Sequence, residues 1–496
     1  MSQYILTVDQ GTTSSRAIIY TPDLQVIASG QEEFKQHYPN NGWVEHEPDD
    51  IWQTVLRSCR KAMVKAGASA SDVQGIGITN QRETTLVWDK HSGEPVCRAI
   101  VWQDRRTADI CQSLEEQGFA SVFHQSTGLR LDPYFSGTKL KWILDNVEGA
   151  RERAENGDLL FGTVDTFLLW RFSKGQVHAT DATNAARTLM FNIHSQEWDQ
   201  KLLDILGVPE RMLPEVKDNA ADFGQCDAEW LGRDIPICSM IGDQHSALVG
   251  QACFQPGMIK STYGTGCFAV LNTGDQIRVS DHNLLTTVGY RLQGKTTYAL
   301  EGSIFMAGAI IQWLRDGLGL IERASDVEQL TESVPYDQSE IMVPAFTGLG
   351  APYWDPDARA AIFGMTRDTG AKQLVAAAIH SVALQSADLL RAMERDGVEV
   401  NTLRVDGGMV KNRGFLQALA SITGVETVTS NTAEATAQGA TMLAAMQLGH
   451  YDSLDALAQL WQAKEHYQPR LKAAERDALY QRWQRVVEKV RSESSD

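Results

Sequence analysis

The stretch Asp9-Gln-Gly-Thr-Thr-Ser-Ser-Arg16 follows a β-rich apolar run that begins at Tyr4. A carboxylate at the end of a buried strand can hold Mg²⁺, usually through waters. Gly11 lets backbone N–H groups approach an anion closely. Thr12, Thr13 and Ser14 add hydroxyl donors, and Arg16 adds a fixed positive charge. The segment is a candidate phosphate turn, and a plain polar hairpin turn is the alternative reading.

Two further glycine turns follow strands in the other half. Gly264-Thr-Gly266 lies between the β-rich runs Met258-Ile-Lys-Ser-Thr-Tyr263 and Cys267-Phe-Ala-Val-Leu271. Gly407-Gly408 ends the run Leu403-Arg-Val-Asp, where it can admit an adenine or α-phosphate edge. A helix is predicted from about Asn412, with Phe415, Leu416 and Leu419 on one face. Together the three turns suggest a nucleotide clamped in a cleft between two domains.

One stretch matches a phosphate-loop pattern outright. Gly289-Tyr-Arg-Leu-Gln-Gly-Lys-Thr296 fits G-x-x-x-x-G-K-[ST]. That loop works because a helix starts at its Lys-Thr and points N–H groups at phosphate. Here Thr296-Thr-Tyr-Ala-Leu300 is β-branched and aromatic, and the next helical spacing starts near Met306. The context predicts a hairpin turning at Gln293-Gly294, with Lys295 a solvated tip.

An acceptor site needs groups for hydroxyls and a base. Gly77-Ile-Thr-Asn-Gln-Arg-Glu-Thr84 sets Arg82 beside Glu83 just past a strand. A charged donor next to a charged acceptor can hold neighbouring hydroxyls, because each hydroxyl both donates and accepts. Trp102 and Tyr134 can wall a carbon chain. Ile237-Cys-Ser-Met-Ile-Gly-Asp-Gln244 ends an apolar run with Asp243, which can take the proton of an attacking hydroxyl or cap the helix that follows.

The elements that carry these residues alternate between strand and helix, which predicts α/β domains. With 496 residues the chain exceeds a single core of about 250–300, so two domains are expected, 1–250 and 251–496. The strand–Gly/Thr turn–strand unit near residue 10 recurs near residue 265, consistent with an internal duplication. A charged amphipathic helix is predicted from Ala473 to Glu493. The net charge of −18, with no concentrated basic patch, argues against nucleic acid or anionic membranes as partners. No signal peptide, no transmembrane helix and no stable membrane insertion are expected. The seven cysteines form no C-x-x-C pair, so reduced thiols and a cytoplasmic location are expected.

The assembled motifs resemble the FGGY carbohydrate kinases of the actin-like ATPase superfamily, and among them the members that phosphorylate glycerol. They are DQGTTSSR (9–16), WVEHEP (43–48), GITNQRETT (77–85), YFSGTKLKWILDN (134–146), GDQ (242–244), STYGTGCF (261–268), MAGAIIQWLRD (306–316), PAFTGLGAPYWDP (344–356) and VDGGMVKN (405–412). The resemblance runs to about residue 470. It implies an α/β fold of two actin-like (ribonuclease H-like) domains with a catalytic cleft between them. It implies transfer of phosphate from ATP to glycerol, giving sn-glycerol 3-phosphate and ADP, with Mg²⁺. By the same resemblance Arg82, Glu83, Tyr134, Asp243 and Gln244 match glycerol contacts, with Asp243 as general base. Trp102 and Phe268 match apolar walls, and Asp9 matches the carboxylate that places the metal. Thr12, Thr13, Ser14, Arg16, Thr265, Gly308, Gln312, Gly408 and Asn412 match nucleotide contacts. A homo-oligomer, dimer or tetramer, is expected.

Two other readings compete. One is a kinase for another small polyol or triose, such as erythritol or dihydroxyacetone. The other is an actin-like or chaperone-like ATPase, which would need neither Asp243 nor the Asn80-Gln-Arg-Glu83 segment. The chain also departs from the family pattern. Some relatives bind fructose 1,6-bisphosphate through Gly-Thr-Arg, where this chain has Leu231-Gly-Arg-Asp234, which puts that control in doubt. Glu229 stands where some relatives carry a phosphorylatable His, and His380 stands where Glu is usual.

Overall fold

The structure is a computed structural model that describes residues 3–331, 334–432 and 434–492. β-Branched runs build two mixed sheets. In the first, β1 (Tyr4–Gln10), β2 (Ser14–Tyr20) and β3 (Val26–Glu33) pair antiparallel in succession. β4 (Val73–Asn80) joins β1 in parallel. The sheet is completed by β5 (Gln225–Cys226) and β6 (Ile235–Gly242), in the order β5-β6-β4-β1-β2-β3. The second contains β7 (Ile259–Tyr263), β8 (Cys267–Gly274), β9 (Leu285–Leu292), β10 (Lys295–Ile304), β11 (Thr402–Asp406), β12 (Glu426–Ser430) and β13 (Ala463–Tyr467). Its order is β9-β10-β8-β7-β11-β12-β13.

Five strands in each sheet correspond. β3-β2-β1-β4-β6 and β10-β8-β7-β11-β12 each run as three antiparallel neighbours followed by two parallel additions. Parallel additions need long crossovers, and helices supply them. Both halves therefore have the actin-like, ribonuclease H-like α/β plan. One apolar core lies on the first sheet around Leu6, Val55, Ile76 and Met240, and another on the second around Leu271, Leu300, Ile379 and Leu416. A third, around Phe123, Phe135, Leu140 and Phe161, supports the long excursion between β4 and β5 that carries Trp102 and Tyr134.

The halves join through two helices. α1 (Asp243–Gly250) leaves the end of β6 and crosses α2 (Ala435–Gln447) of the other half. A Cβ on Gly250 would lie 1.9 Å from the Ala435 carbonyl oxygen, and one on Gly439 would lie 1.8 Å from that of Ser246. Only glycine admits so close a crossing. α2 also reaches the first sheet, where Thr441 Oγ1 is 2.7 Å from Thr7 Oγ1 and the Ala440 carbonyl accepts from Ser239 Oγ at 2.8 Å.

The GYRLQGKT stretch forms the predicted hairpin. Leu292 faces Lys295 across the turn, and Gln293 and Gly294 have φ of 51° and 73°. Two residues at positive φ match a type I′ turn. Lys295 is exposed, and the next helix starts at Gly308. Asn412 caps the helix Arg413–Thr423 by accepting from the Phe415 N–H at 2.8 Å. The tail helix is shorter than predicted. It spans Ala473–Val487, and residue 493 lies outside the described residues. All seven cysteines are free thiols. The helix Ala371–Arg395 is long and apolar enough to cross a membrane by length and composition, but 89% of that apolar window is buried in the second half.

That long helix carries a buried carboxylate. Asp388 accepts from Tyr480 Oη at 2.7 Å and from Trp483 Nε1 at 2.8 Å, which fixes the tail helix. Burial pushes its carboxyl from 3.8 up to about 7. Between those values the folded chain holds a proton that the unfolded chain has lost, so this group's contribution to stability falls as pH rises. Asp388→Asn has no such proton. Its stability relative to the parent chain should rise by a few kcal/mol at most from pH 4 to pH 7. Urea unfolding at several pH values measures this, and parallel curves for the two chains would refute it.

Candidate active site

β4 ends at Asn80, and the chain then turns sharply through Gln81, Arg82 and Glu83. Glu83 has φ of 62°, a left-handed conformation that costs energy in a non-glycine residue. The turn sends both charged side chains inward, where Arg82 is 2% and Glu83 1% exposed. Arg82 Nη1 lies 2.5 Å from Glu301 Oε2, Nη2 lies 3.1 Å from Glu301 Oε1, and Nε lies 3.2 Å from Asp243 Oδ1. Arg82 Nη2 also reaches Tyr134 Oη at 3.4 Å. Glu83 pairs with Arg187 Nε at 2.7 Å, closer than its 3.9 Å from Arg82, and Arg187 Nη2 reaches Glu301 Oε1 at 3.0 Å. From the second half, Lys260 Nζ donates to Gln244 Oε1 at 2.5 Å.

Burial opposes the charge on Arg82, but Glu301 leads the groups that keep its guanidinium protonated. Burial opposes the charge on Glu301 as well, yet Arg187 and Arg82 hold its carboxyl well below the usual range. Asp243, on the first turn of α1, is pushed up by burial, and Arg82 and Lys260 offset part of that rise. Its Oδ1 accepts from the Gln244 N–H at 2.7 Å, so it also satisfies a helix-start donor. The helix N-cap is Gly242, not Asp243.

Aromatic side chains wall the space above Arg82. Trp102 meets Tyr134 edge-on at 5.7 Å and Phe268 at 6.2 Å, and the Arg82 guanidinium lies 5.9 Å from the Phe268 ring. Trp102 Nε1 donates to Thr12 Oγ1 at 2.9 Å, joining this wall to the first glycine turn.

That turn is closed by Gly11 N–H donating to the Ser14 carbonyl at 3.0 Å. Thr13 is exposed, while Thr12 and Ser14 are half-buried. Burial pushes the Asp9 carboxyl up to about 7, with Asp243 adding to the rise and Arg16 opposing it. Arg16 Nη1 pairs with Glu434 Oε2 at 2.5 Å, and its buried Nε has no partner among the described residues. Among those residues no cluster of three or more His, Cys, Asp or Glu is suited to a metal. Asp9 and Asp243 are two neighbouring carboxylates, oxygen donors of the kind that would suit Mg²⁺.

The second half presents the opposing turn. Thr265 is exposed, and its carbonyl accepts from the N–H groups of Ala307 and Ala309 at 3.0 and 3.1 Å. A Cβ on Gly308 would stand 2.4 Å from the Gly264 carbonyl oxygen and 3.6 Å from Met409, so these three segments meet. Gln312, in the same short helix as Gly308, is exposed, and Gly408 faces open space. Asn412 is 8% exposed, and its Nδ2 has no partner among the described residues. A buried orphan donor beside a glycine turn is suited to a polar ligand edge.

Residues 4–250 match the N-terminal domain, and residues 259–448 the C-terminal domain, of the FGGY family of carbohydrate kinases. The chain belongs to this family. It is 57% identical over 492 residues to a glycerol kinase of Alteromonas mediterranea, covering 99% of this chain and 100% of that one. It is 55% identical over 494 residues to glycerol kinase 1 of Pseudomonas aeruginosa, covering 100% of each. Its structure is similar to the crystal structure of Plasmodium falciparum glycerol kinase with ADP, at a TM-score of 0.93, 33% identity, and coverage of 99% and 98% of the two chains. A gluconate kinase of Lactobacillus acidophilus shares the fold at a TM-score of 0.90 and 22% identity.

The structure brings Arg82, Glu83, Trp102, Tyr134, Asp243, Gln244 and Phe268 together. Arg187, Lys260 and Glu301 were not singled out from sequence, although Lys260 and Glu301 are lone charges in β-rich runs, and a buried lone charge needs a partner. Glu229 is exposed and pairs with Lys174 at 2.7 Å. His380 lies beside Tyr336, with ring centroids 5.2 Å apart, and burial pushes it down to about 4, so the ring is neutral.

Glu301→Gln keeps the shape but leaves Arg82 and Arg187 short of a counter-charge. It should cost about 3–5 kcal/mol in urea unfolding; a loss below about 1 kcal/mol would show that the cluster is satisfied without that charge. Lys295→Ala, by contrast, should leave ATP affinity within about twofold by calorimetry, since the hairpin offers no helix start. A large loss there would restore the phosphate loop.

Proposed function

We propose that the chain transfers the γ-phosphoryl group of ATP to a terminal hydroxyl of glycerol, giving sn-glycerol 3-phosphate and ADP. The observation that carries this reading is the aromatic pocket over Arg82 and Asp243, joined to the first glycine turn by the Trp102–Thr12 hydrogen bond. The glycerol kinases to which the chain is similar along its whole length support it. The alternative polyols have no observation in their favour.

Arg82, Glu83 and Tyr134 hold adjacent hydroxyls, and Trp102 and Phe268 enclose the carbon chain. Gln244, oriented by Lys260, adds a donor for a hydroxyl. Asp243 accepts the terminal hydroxyl proton as that oxygen bonds to the γ-phosphorus and the bond to the β–γ bridging oxygen breaks. Thr12, Thr13 and Ser14 from one half and Thr265 from the other contact the phosphates, with Arg16 near them. Gly308, Gln312, Gly408 and Asn412 receive the nucleoside end. Asp9 and Asp243 would hold Mg²⁺, which neutralises phosphate charge when bound with the nucleotide. We divide these roles between an N-terminal domain, 1–250, and a C-terminal domain, 251–496.

The same reading places the protein in the cytoplasm as a homodimer or homotetramer. Exposed Val26 and Ile27 on an edge strand support self-association. ADP release measured against a panel of polyols tests the substrate, and release that is independent of polyol would refute it. Asp243→Asn should retain glycerol binding while kcat falls about 10²–10⁴-fold. Turnover near that of the parent chain would overturn the assignment of the base.

A further inference from the structure

The WVEHEP stretch carries a histidine that the reaction does not use. His46 is fully buried, with its ring edge-on to Phe34 at 5.0 Å. Its Nε2 lies 2.6 Å from Gln36 Oε1, while Gln36 Nε2 donates to the Thr12 carbonyl at 3.0 Å. Because the Gln36 nitrogen faces Thr12, its oxygen faces His46, so His46 Nε2 carries the hydrogen. Nδ1 is then an acceptor, and Gln81 Nε2 stands 3.4 Å from it. Burial pushes the ring down to about 3, which agrees with a neutral imidazole bearing one hydrogen.

The chain of hydrogen bonds continues on both sides. Gln81 Nε2 also faces Gln10 Oε1 at 3.0 Å and the Gly11 carbonyl at 3.2 Å. Gln81 Oε1 accepts from Thr84 Oγ1 at 2.9 Å, and Thr84 Oγ1 accepts from the Trp102 N–H at 3.3 Å. Donation therefore runs in one direction, from Trp102 through Thr84, Gln81, His46 and Gln36 to the Thr12 carbonyl. The bond from Trp102 Nε1 to Thr12 Oγ1 closes the circuit. Two donation paths thus run from Trp102 to Thr12, one direct and one through His46, and together they fix two backbone turns relative to each other.

We propose that His46 is a positioning residue that ties the first phosphate turn to the polyol wall, so that binding of both substrates depends on it. The inference rests on the functional reading above. His46 touches neither substrate, and it acts through Gln36 on Thr12 and through Gln81 on the Arg82–Trp102 side. Each end of the circuit contacts a different ligand, so a slack circuit should weaken both.

The full-length chain and its His46→Leu, His46→Gln and Gln36→Leu variants would be compared. KM for glycerol would come from steady-state kinetics, and Kd for MgADP from calorimetry without polyol. His46→Leu should raise both constants about tenfold, short of the roughly hundredfold loss expected from a 1 Å misplacement at the reacting atoms. His46→Gln keeps a donor for Gln36 and should fall between the parent chain and His46→Leu. Gln36→Leu, at a half-buried position, covers the case in which His46→Leu does not fold. Unchanged constants, a change confined to one substrate, or His46→Gln as impaired as His46→Leu would each overturn the proposal. If the parent chain turns over no glycerol, the functional reading fails instead. The MgADP affinities then decide the inference: weakening in His46→Leu supports it, and equality overturns it.

Discussion

A buried charge cluster shared by the two halves governs the rest of the site. Glu83, Asp243 and Glu301 face Arg82 and Arg187, with Lys260 held close by on Gln244. Lys260 and Glu301 lie on strands of the second sheet, and the other four belong to the first half. Removing Glu83, Glu301, Arg82 or Arg187 leaves an uncompensated charge among fully buried side chains. The pocket is therefore complete only when both halves have folded and docked. The cluster also accounts for the left-handed backbone at Glu83, because the ion pair with Arg187 holds a conformation that the backbone alone disfavours.

The helix crossing sets the same residues from the other side. Asp243 sits on the first turn of α1, and that helix is pressed onto α2 where Ser246 meets Gly439 and Gly250 meets Ala435, with no room for a Cβ on either glycine. The direction of the proposed base is thus coupled to the packing between the halves. Packing this tight resists sliding. Relative motion of the halves is then a rotation about the crossing, and the residues at it, Ser246 and Gly250, move least.

Much of this was legible in the sequence because strands, glycine turns and caps are local. The hairpins around residues 11 and 265, the helix start at Asn412 and the turn at Gln293-Gly294 each follow from a few neighbouring residues. The duplicated strand order was visible only as a repeated turn, since the parallel pairings join strands far apart in the chain. Arg187 lies in the Asn184-Ala-Ala-Arg-Thr188 run, which reads as an ordinary turn with an exposed charge. Its burial depends on Glu83 and Glu301, 104 and 114 residues away, and no local pattern encodes that. The tail helix ends at Val487 although Val490 beyond it still packs against the second core, because apolar spacing alone does not mark where a helix stops.

Exposure is graded along the cleft, and the gradient has a chemical consequence. Arg82, Glu83 and Gln244 are buried around the charge cluster, whereas Thr265, Gln312 and Gly408 are exposed. Glu301, reaching across from the second sheet, shuts the floor without any movement of the halves. On the function proposed above, the more enclosed end would take the polyol and the open end would take the nucleotide. Excluding water near the nucleophile strengthens every electrostatic contact there and suppresses hydrolysis in place of transfer. On the same proposed reading, with the floor and the helix crossing already fixed, closure would come from the rim that carries Thr265 and Gly408 approaching the turn at Thr12 and Thr13.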